Sequence, residues 1–413
     1  MPARILIAGG GIGGLAAAVA LARGGQSVEL LEQAAAFSEV GAGIQLGPNV
    51  TRRLKALGVL DAARQLAARP ASVAVRDAQD GALLARMPLG DSIERKYGGP
   101  YLCMHRADLH AVLLQAAQAL GPRIELNTGT PITQVAARGD TVCLGSGSHH
   151  AWEGDGLVGA DGLWSLVRSR VVEEAAPPRA TGHTAWRALA RIEALPSVLR
   201  SADVQVWLGE RLHAVAYPVR GGGWLNLVIL AEVQPGGVGA KKQDPADWDQ
   251  QADMAALLAA IGNRCDGVFP LIEAMPQWRA WQLNDRAPLA GPQEMVRGRV
   301  ALLGDAAHPM LVPGAGCRHG DRGCGGAGRA GGQLRRGQPA RRLRPLCLGA
   351  LAAQRTRAGQ GAAQRRGVSC QRRQAGGTRC SAARARRAPA GQPVALRRLS
   401  RGRAAAGFRG LRA

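Results

Sequence analysis

Three glycines, Gly9, Gly11 and Gly14, stand in the spacing G-x-G-x-x-G within "ARILIAGGGIGGLAAAVALARGGQSVELLEQ" (residues 3–33). In a strand–turn–helix unit this spacing serves phosphate binding. The first glycine makes the tight turn, the second lets a pyrophosphate approach the backbone, and the third lets the helix close on the strand. The helix start then presents N–H groups and the positive end of a dipole. Glu32 ends the next apolar run, eighteen residues after Gly14, where a carboxylate accepts hydrogen bonds from a ribose. Two aspartates follow the same logic: Asp161-Gly162 in "DGLVGADGLWSLVRSRV" (155–171) and Gly304-Asp305 in "GRVALLGDAAHPM" (298–310) each end an apolar run. Ligands of open parallel sheets sit beyond the carboxyl ends of strands, so Asp305 suits a ribityl or ribose hydroxyl. The alternative is that each Asp caps the helix that follows. His213 and Tyr217, in "LHAVAYPVRGG" (212–222), lie four residues apart in a β-type run, so one strand face offers an imidazole and a phenol. A packed, satisfied pair is the alternative.

The elements that must hold these groups are legible in outline. Ile5 to Ala8 is a continuous apolar run, as a buried parallel strand requires. "ASVAVRDAQDGALLARMPLG" (71–90) predicts a hairpin turning at Asp80-Gly81. The short β-branched and aromatic runs of 181–192 and 203–233, broken by glycine turns, predict an antiparallel sheet. The fold class expected is α/β: a doubly wound nucleotide-binding domain with an inserted antiparallel or mixed sheet.

Together these motifs make the chain resemble the FAD-dependent aromatic hydroxylases, single-component flavoprotein monooxygenases of the p-hydroxybenzoate hydroxylase fold. Their three fingerprints match Gly9/Gly11/Gly14 with Glu32, Asp161-Gly162, and Gly304-Asp305, and the resemblance covers about residues 1–316. "EVGAGIQLGPNVTRRLKALGV" (39–59) and "HRADLHAVLL" (105–114) look like the salicylate and 3-hydroxybenzoate hydroxylase branch. The resemblance implies bound FAD, NADH or NADPH as transient co-substrate, O2, and a small phenolic acid, with 3-hydroxybenzoate to gentisate the first reading and salicylate the second. It places Arg106 at the flavin nucleotide and extends the cofactor set to Gly13, Gln33 and Pro309. It also casts His213 and Tyr217 as the catalytic base and phenol. A base with a pKa near neutrality suits a reaction in which a phenolate ring attacks electrophilic oxygen. The implied division is an FAD domain of 1–70, 98–178 and 270–316 and a substrate domain of 71–97 and 179–269. A homodimer, a cytoplasmic location and no resident metal complete the expectation. Isolated Cys103, Cys143 and Cys265 suit a reducing compartment, and neither a leader peptide nor a membrane-length apolar run is expected.

After Met310 the chemistry of the chain changes. Residues 317–413 hold 24 Arg, no Lys and a single acidic residue, Asp321, whereas residues 1–316 hold 29 basic and 29 acidic residues and are neutral. With 11 Leu, Val or Phe among 97 residues, the tail has too little apolar area to offset an ordering entropy of ~1–2 kcal/mol per residue, so disorder is expected. The family's closing helix should follow the His308-Pro309 turn, and it is missing. Synonymous codons for Cys317 to Gly328, read one base later, encode Ala-Ala-Met-Ala-Ile-Glu-Asp-Ala-Ala-Val-Leu, nearly that helix. The same offset in 393–402 gives Pro-Trp-Leu-Tyr-Gly-Ala-Tyr-Arg-Gly. A frameshift is therefore the expected origin of the tail. An Arg-driven nucleic-acid arm ranks below it, lacking interleaved aromatics or a fold motif, so no specific nucleic acid is expected. Cys317, His319 and Cys324 match no common zinc spacing.

Overall fold

The computed structural model describes residues 2–309 except 39, 40, 42, 148, 149, 174, 175, 211, 234–249, 263, 264 and 290. The expectations for the tail, 317–413, lie outside the described residues. All described residues fall within one unit, Met1–Ala358.

The apolar run Arg4–Ala8 is the centre of a six-stranded sheet. The spatial order is Val296–Arg297, Val300–Leu302, Gly156–Gly159, Arg4–Ala8, Ser27–Leu31 and Ile124–Asn127. Every pairing is parallel except that of the edge strand Val296–Arg297. Both faces are covered, which is why the strands read as unbroken apolar runs rather than alternations. The helix Ile12–Arg23 lies on one face with ten of its twelve residues buried, six of them alanine or glycine. Small side chains let its axis close on the sheet. Helix Arg106–Gln118 packs beside it. A three-stranded antiparallel meander, Ile132–Arg138, Thr141–Ser146 and Ala151–Gly154, leads back into the sheet.

The second sheet has eight strands in the order Gln250–Ala252, Trp278–Asp285, Arg179–Arg191, Trp224–Glu232, Leu212–Val219, Val204–Gly209, Ser72–Asp77 and Leu83–Pro88. It is mixed, because Val204–Gly209 runs parallel to Ser72–Asp77 and the other pairings are antiparallel. The expected hairpin is present, with Gly81 at φ +75° in its turn. Strand residues alternate between the two faces. Leu212, Ala214, Ala216, Leu227, Ile229 and Trp186 pack with residues of helices Met254–Ile261 and Phe269–Glu273. The other face carries Val215, Tyr217 and Val219 and packs with Cys103 and Tyr101. Cys103 belongs to the two-stranded sheet formed by Gly43–Leu46 and Leu102–His105.

One boundary differs from the expectation. Trp278–Asp285, assigned from sequence to the FAD segment 270–316, pairs along Arg179–Arg191 in the eight-stranded sheet. Its buried Trp278, Ala280 and Leu283 are matched to that sheet's cores, so the chain returns to the first sheet only after Asp285.

Candidate active site

Four adjacent parallel strands end at one edge of the first sheet, and each is followed by one of the motif residues. Gly9 follows Arg4–Ala8, Glu32 follows Ser27–Leu31, Asp161 follows Gly156–Gly159, and Gly304-Asp305 follows Val300–Leu302. The three glycines have different reasons to be glycine. Gly9 sits at φ +102°, and a Cβ there would lie 2.4 Å from the Ala160 carbonyl oxygen. A Cβ on Gly14 would lie 1.9 Å from the Gly9 carbonyl oxygen, so this residue sets the helix–strand approach. A Cβ on Gly11 would meet nothing within 4 Å. Gly11 is also the helix N-cap and has no side-chain cap on the first N–H groups. That combination of open space and uncapped donors fits a pyrophosphate. A Cβ on Gly13 would meet only the Leu303 side chain, at 3.8 Å.

The Glu32 carboxylate turns back onto the loop, accepting from the N–H of Gly10 at 2.6 Å and of Ala34 at 2.8 Å. Gln33 beside it is exposed. His110, buried on helix Arg106–Gln118, donates from Nε2 to the Gly10 carbonyl at 2.9 Å. The "HRADLHAVLL" segment therefore braces the glycine loop as well as placing Arg106, whose side chain lies against Gly41.

The two aspartates part company. Both oxygens of Asp161 are committed to the turn that follows, Oδ1 to the Ser165 hydroxyl and Oδ2 to the Val167 N–H at 3.0 Å. Burial raises its pKa, with those bonds opposing the shift. The carboxylate is thus held within the turn ahead of helix Arg168–Val171 and does not cap it, since its N-cap, Val167, has no side-chain cap. Gly162, at φ +72°, makes the turn. Asp305 occupies a 3-10 turn, Gly304–Ala306, opened by Gly304 at φ +61°. That turn is clamped by Arg168, whose guanidinium donates to the carbonyls of Ala306 and Ala307 at 2.8 Å each and of Ala287 at 3.2 Å. Pro309 follows as the last described residue of the segment. No motif in the sequence marks Arg168 for this role. Its partners are carbonyls far along the chain, which no local motif encodes.

His213 and Tyr217 do share one face of strand Leu212–Val219. Tyr217 is fully enclosed, its ring against Gly43 so closely that a Cβ there would lie 2.4 Å from it. The Gln45 side chain donates to its hydroxyl oxygen, while Gln45 Oε1 accepts from Tyr101 at 2.5 Å. Burial pushes the phenol well above its ordinary pKa, with Cys103 and Tyr101 adding to the shift and nearby Arg106 opposing it. Tyr217 is therefore a neutral donor at neutral pH. Burial lowers the His213 pKa below 6.5, which leaves a neutral imidazole able to accept a proton. His105, across from Gly43, is lowered too, by burial and then by Arg220.

The profile of the FAD binding domain family matches residues 3–317. The 3-hydroxybenzoate 6-hydroxylase of Polaromonas naphthalenivorans is 38% identical over 306 residues, 74% of this chain and 73% of that protein. The chain belongs to the FAD-dependent aromatic hydroxylases. The 3-hydroxybenzoate 6-hydroxylase of Klebsiella oxytoca is 35% identical over 74% of each chain. Among solved structures, Klebsiella pneumoniae HpxO in complex with FAD and uric acid aligns with a TM-score of 0.67 at 26% identity, covering 81% of each chain. A salicylate hydroxylase substrate complex aligns with a TM-score of 0.66 at 26% identity, covering 80% of each. The chain is thus an FAD-dependent aromatic-ring monooxygenase of α/β fold, with NAD(P)H as the reductant of its family. Among the described residues no helix is long and apolar enough to cross a membrane.

Proposed function

We propose that the chain hydroxylates a small phenolic acid, converting 3-hydroxybenzoate to gentisate with NAD(P)H and O2. The observation that carries this reading is the pairing of a proton-accepting His213 with a neutral Tyr217 on one enclosed strand face, in a chain whose relatives are named for that reaction. The six-stranded sheet with its loops is the FAD domain, and the eight-stranded sheet is the substrate domain. Gly11, Gly13 and the uncapped helix start take the pyrophosphate. Glu32, Gln33 and Arg106 serve the nucleotide end, and Gly304, Asp305 and Pro309 serve the flavin side. Asp161 and Gly162 act through the turn they build.

FAD, once reduced, supplies the oxygen-activating chemistry. His213 takes the phenolic proton, which raises electron density on the ring. Tyr217 donates a hydrogen bond to the substrate oxygen and keeps its own proton. The apolar side chains between them, Val215 and Val228, exclude water from the reacting edge. The test is NAD(P)H oxidation by the full chain with added FAD, with and without 3-hydroxybenzoate, and identification of the product. Gentisate formed in step with reductant supports the reading. Reductant consumed without any hydroxylated product sinks it.

We further propose that residues 317–413 are read out of frame. In support, the family match ends at residue 317, where the Arg-rich composition begins. FAD affinity is then weak for want of the closing helix. A gene whose third-base pattern runs unbroken past codon 317, or a preparation carrying stoichiometric FAD, contradicts this. A cytoplasmic homodimer completes the proposal, checked by sedimentation.

A further inference from the structure

The register of the eight-stranded sheet frames a patch beside His213 and Tyr217. On strand Trp224–Glu232, Leu230 lies opposite His213, Val228 opposite Val215, and Asn226 opposite Tyr217. One ladder further, on Arg179–Arg191, Arg187 lies opposite Val228 and Leu189 opposite Asn226. Directly paired residues share a face. His213 and Tyr217 therefore border one side of an apolar floor of Val215 and Val228, Arg187 borders the other, and Asn226 stands at the end of the floor beside Tyr217.

Asn226 is 1% exposed. Its Oδ1 accepts from the Gly43 N–H at 3.0 Å. A backbone N–H can only donate, so this bond settles which way the carboxamide is turned. The Nδ2 group then points away from Gly43, buried and without a hydrogen-bond acceptor. A buried donor without an acceptor is destabilising, and such a group calls for a ligand oxygen. Arg187, also buried, lies one ladder and one diagonal step away, its guanidinium 5.0 Å from the centre of the Trp281 ring. It brings a permanent positive charge to the same face.

We propose that Asn226 and Arg187 form the carboxylate subsite of the aromatic acid. This rests on the hydroxylase reading above and adds to it. The carboxylate accepts from Asn226 Nδ2 and the Arg187 guanidinium, the ring lies over Val215 and Val228, and the hydroxyl faces His213 and Tyr217. Arg187, on Arg179–Arg191, lies two ladder spacings from Leu212–Val219, about 9–10 Å, with Asn226 on the strand between them, one spacing from Tyr217. An acid with hydroxyl and carboxylate on separate ring positions spans this frame. An ortho acid puts both oxygens on one edge and does not.

The test is titration of the full-length chain, in saturating FAD, with 3-hydroxybenzoate, the neutral isostere 3-hydroxybenzamide, and salicylate, followed by tryptophan fluorescence. The wild type should bind 3-hydroxybenzoate about 10- to 100-fold more tightly than the amide, and more tightly than salicylate. Asn226→Leu and Arg187→Met should each weaken the acid about tenfold or more while leaving the amide within about threefold, so that the preference collapses. Asn226→Asp and Arg187→Lys nearly conserve size and hold the test where the larger changes unfold. The first should weaken the acid most, and the second should keep part of the preference. Variants that keep the wild-type ratio of acid to amide overturn the subsite while the hydroxylase reading stands. A wild type that binds none of the three, and whose NAD(P)H oxidation no phenolic acid stimulates, overturns both.

Discussion

The two sheets of this enzyme carry function in opposite ways. At the edge of the parallel sheet, each functional group sits within a few residues of the strand that places it, and consecutive chain segments supply the loop, the turn and the helix start. On the face of the eight-stranded sheet, Tyr217 meets Asn226 from the neighbouring strand and Gly43 and Gln45 from the distant strand Gly43–Leu46. In the proposed function, the cofactor is held by local backbone geometry, and the substrate is faced by side chains that only strand register brings together.

The sharpest way to break this comparison is at the glycines. Gly14→Ala forces a Cβ to 1.9 Å from the Gly9 carbonyl oxygen, so a loss of about 3 kcal/mol or more in denaturant unfolding is expected, together with loss of FAD. Gly11→Ala meets nothing within 4 Å, so stability should hold within about 0.5 kcal/mol while FAD affinity falls. If Gly11→Ala binds FAD normally, the open side of the loop is not where the pyrophosphate approaches.

On the other sheet, His213→Ala should lower kcat/KM by about 10²- to 10⁴-fold with little change in stability or FAD content. Equal activity in the variant removes His213 from the chemistry. Between the two regions lies Arg168. Replacing it with Met leaves the carbonyls of Ala306, Ala307 and Ala287 without their donor, at a cost of about 3 kcal/mol, and loosens the Asp305 turn. Tyr217→Phe keeps the ring against Gly43 and removes only the hydroxyl, so kcat/KM should fall about tenfold, with stability lowered by about 1 kcal/mol as Gln45 loses its partner.

The smallest effect is in pH. Burial holds folded His213 below its ordinary 6.5, so the unfolded chain binds the proton first and stability declines as pH falls through 6.5. The activity limb from this base should accordingly lie below pH 6.5. A limb above 6.5 that disappears in His213→Ala contradicts the burial account.

Much of the cofactor edge was legible because strand, glycine turn and helix follow one another in the chain. The motif did not reveal that Asp161 is taken up by Ser165 and Val167, while Asp305 stands in a turn clamped from outside by Arg168. Both aspartates look alike in sequence, and their different roles come from what packs around them. The boundary set at residue 270 misplaced strand Trp278–Asp285 for a similar reason. Pairing with Arg179–Arg191, across nearly a hundred residues of chain, decides its sheet.

The sequence alone determined the parallel sheet, the order of the three motifs and the face shared by His213 and Tyr217, because those follow from backbone sterics and the two-residue period of a strand. The tertiary structure alone decided that His110 braces the glycine loop, that Arg168 holds the Asp305 turn, and that the Asn226 carboxamide is turned by Gly43. Those contacts join groups roughly 100 to 180 residues apart, and a hydrogen bond between such distant groups exists only once the intervening elements have packed.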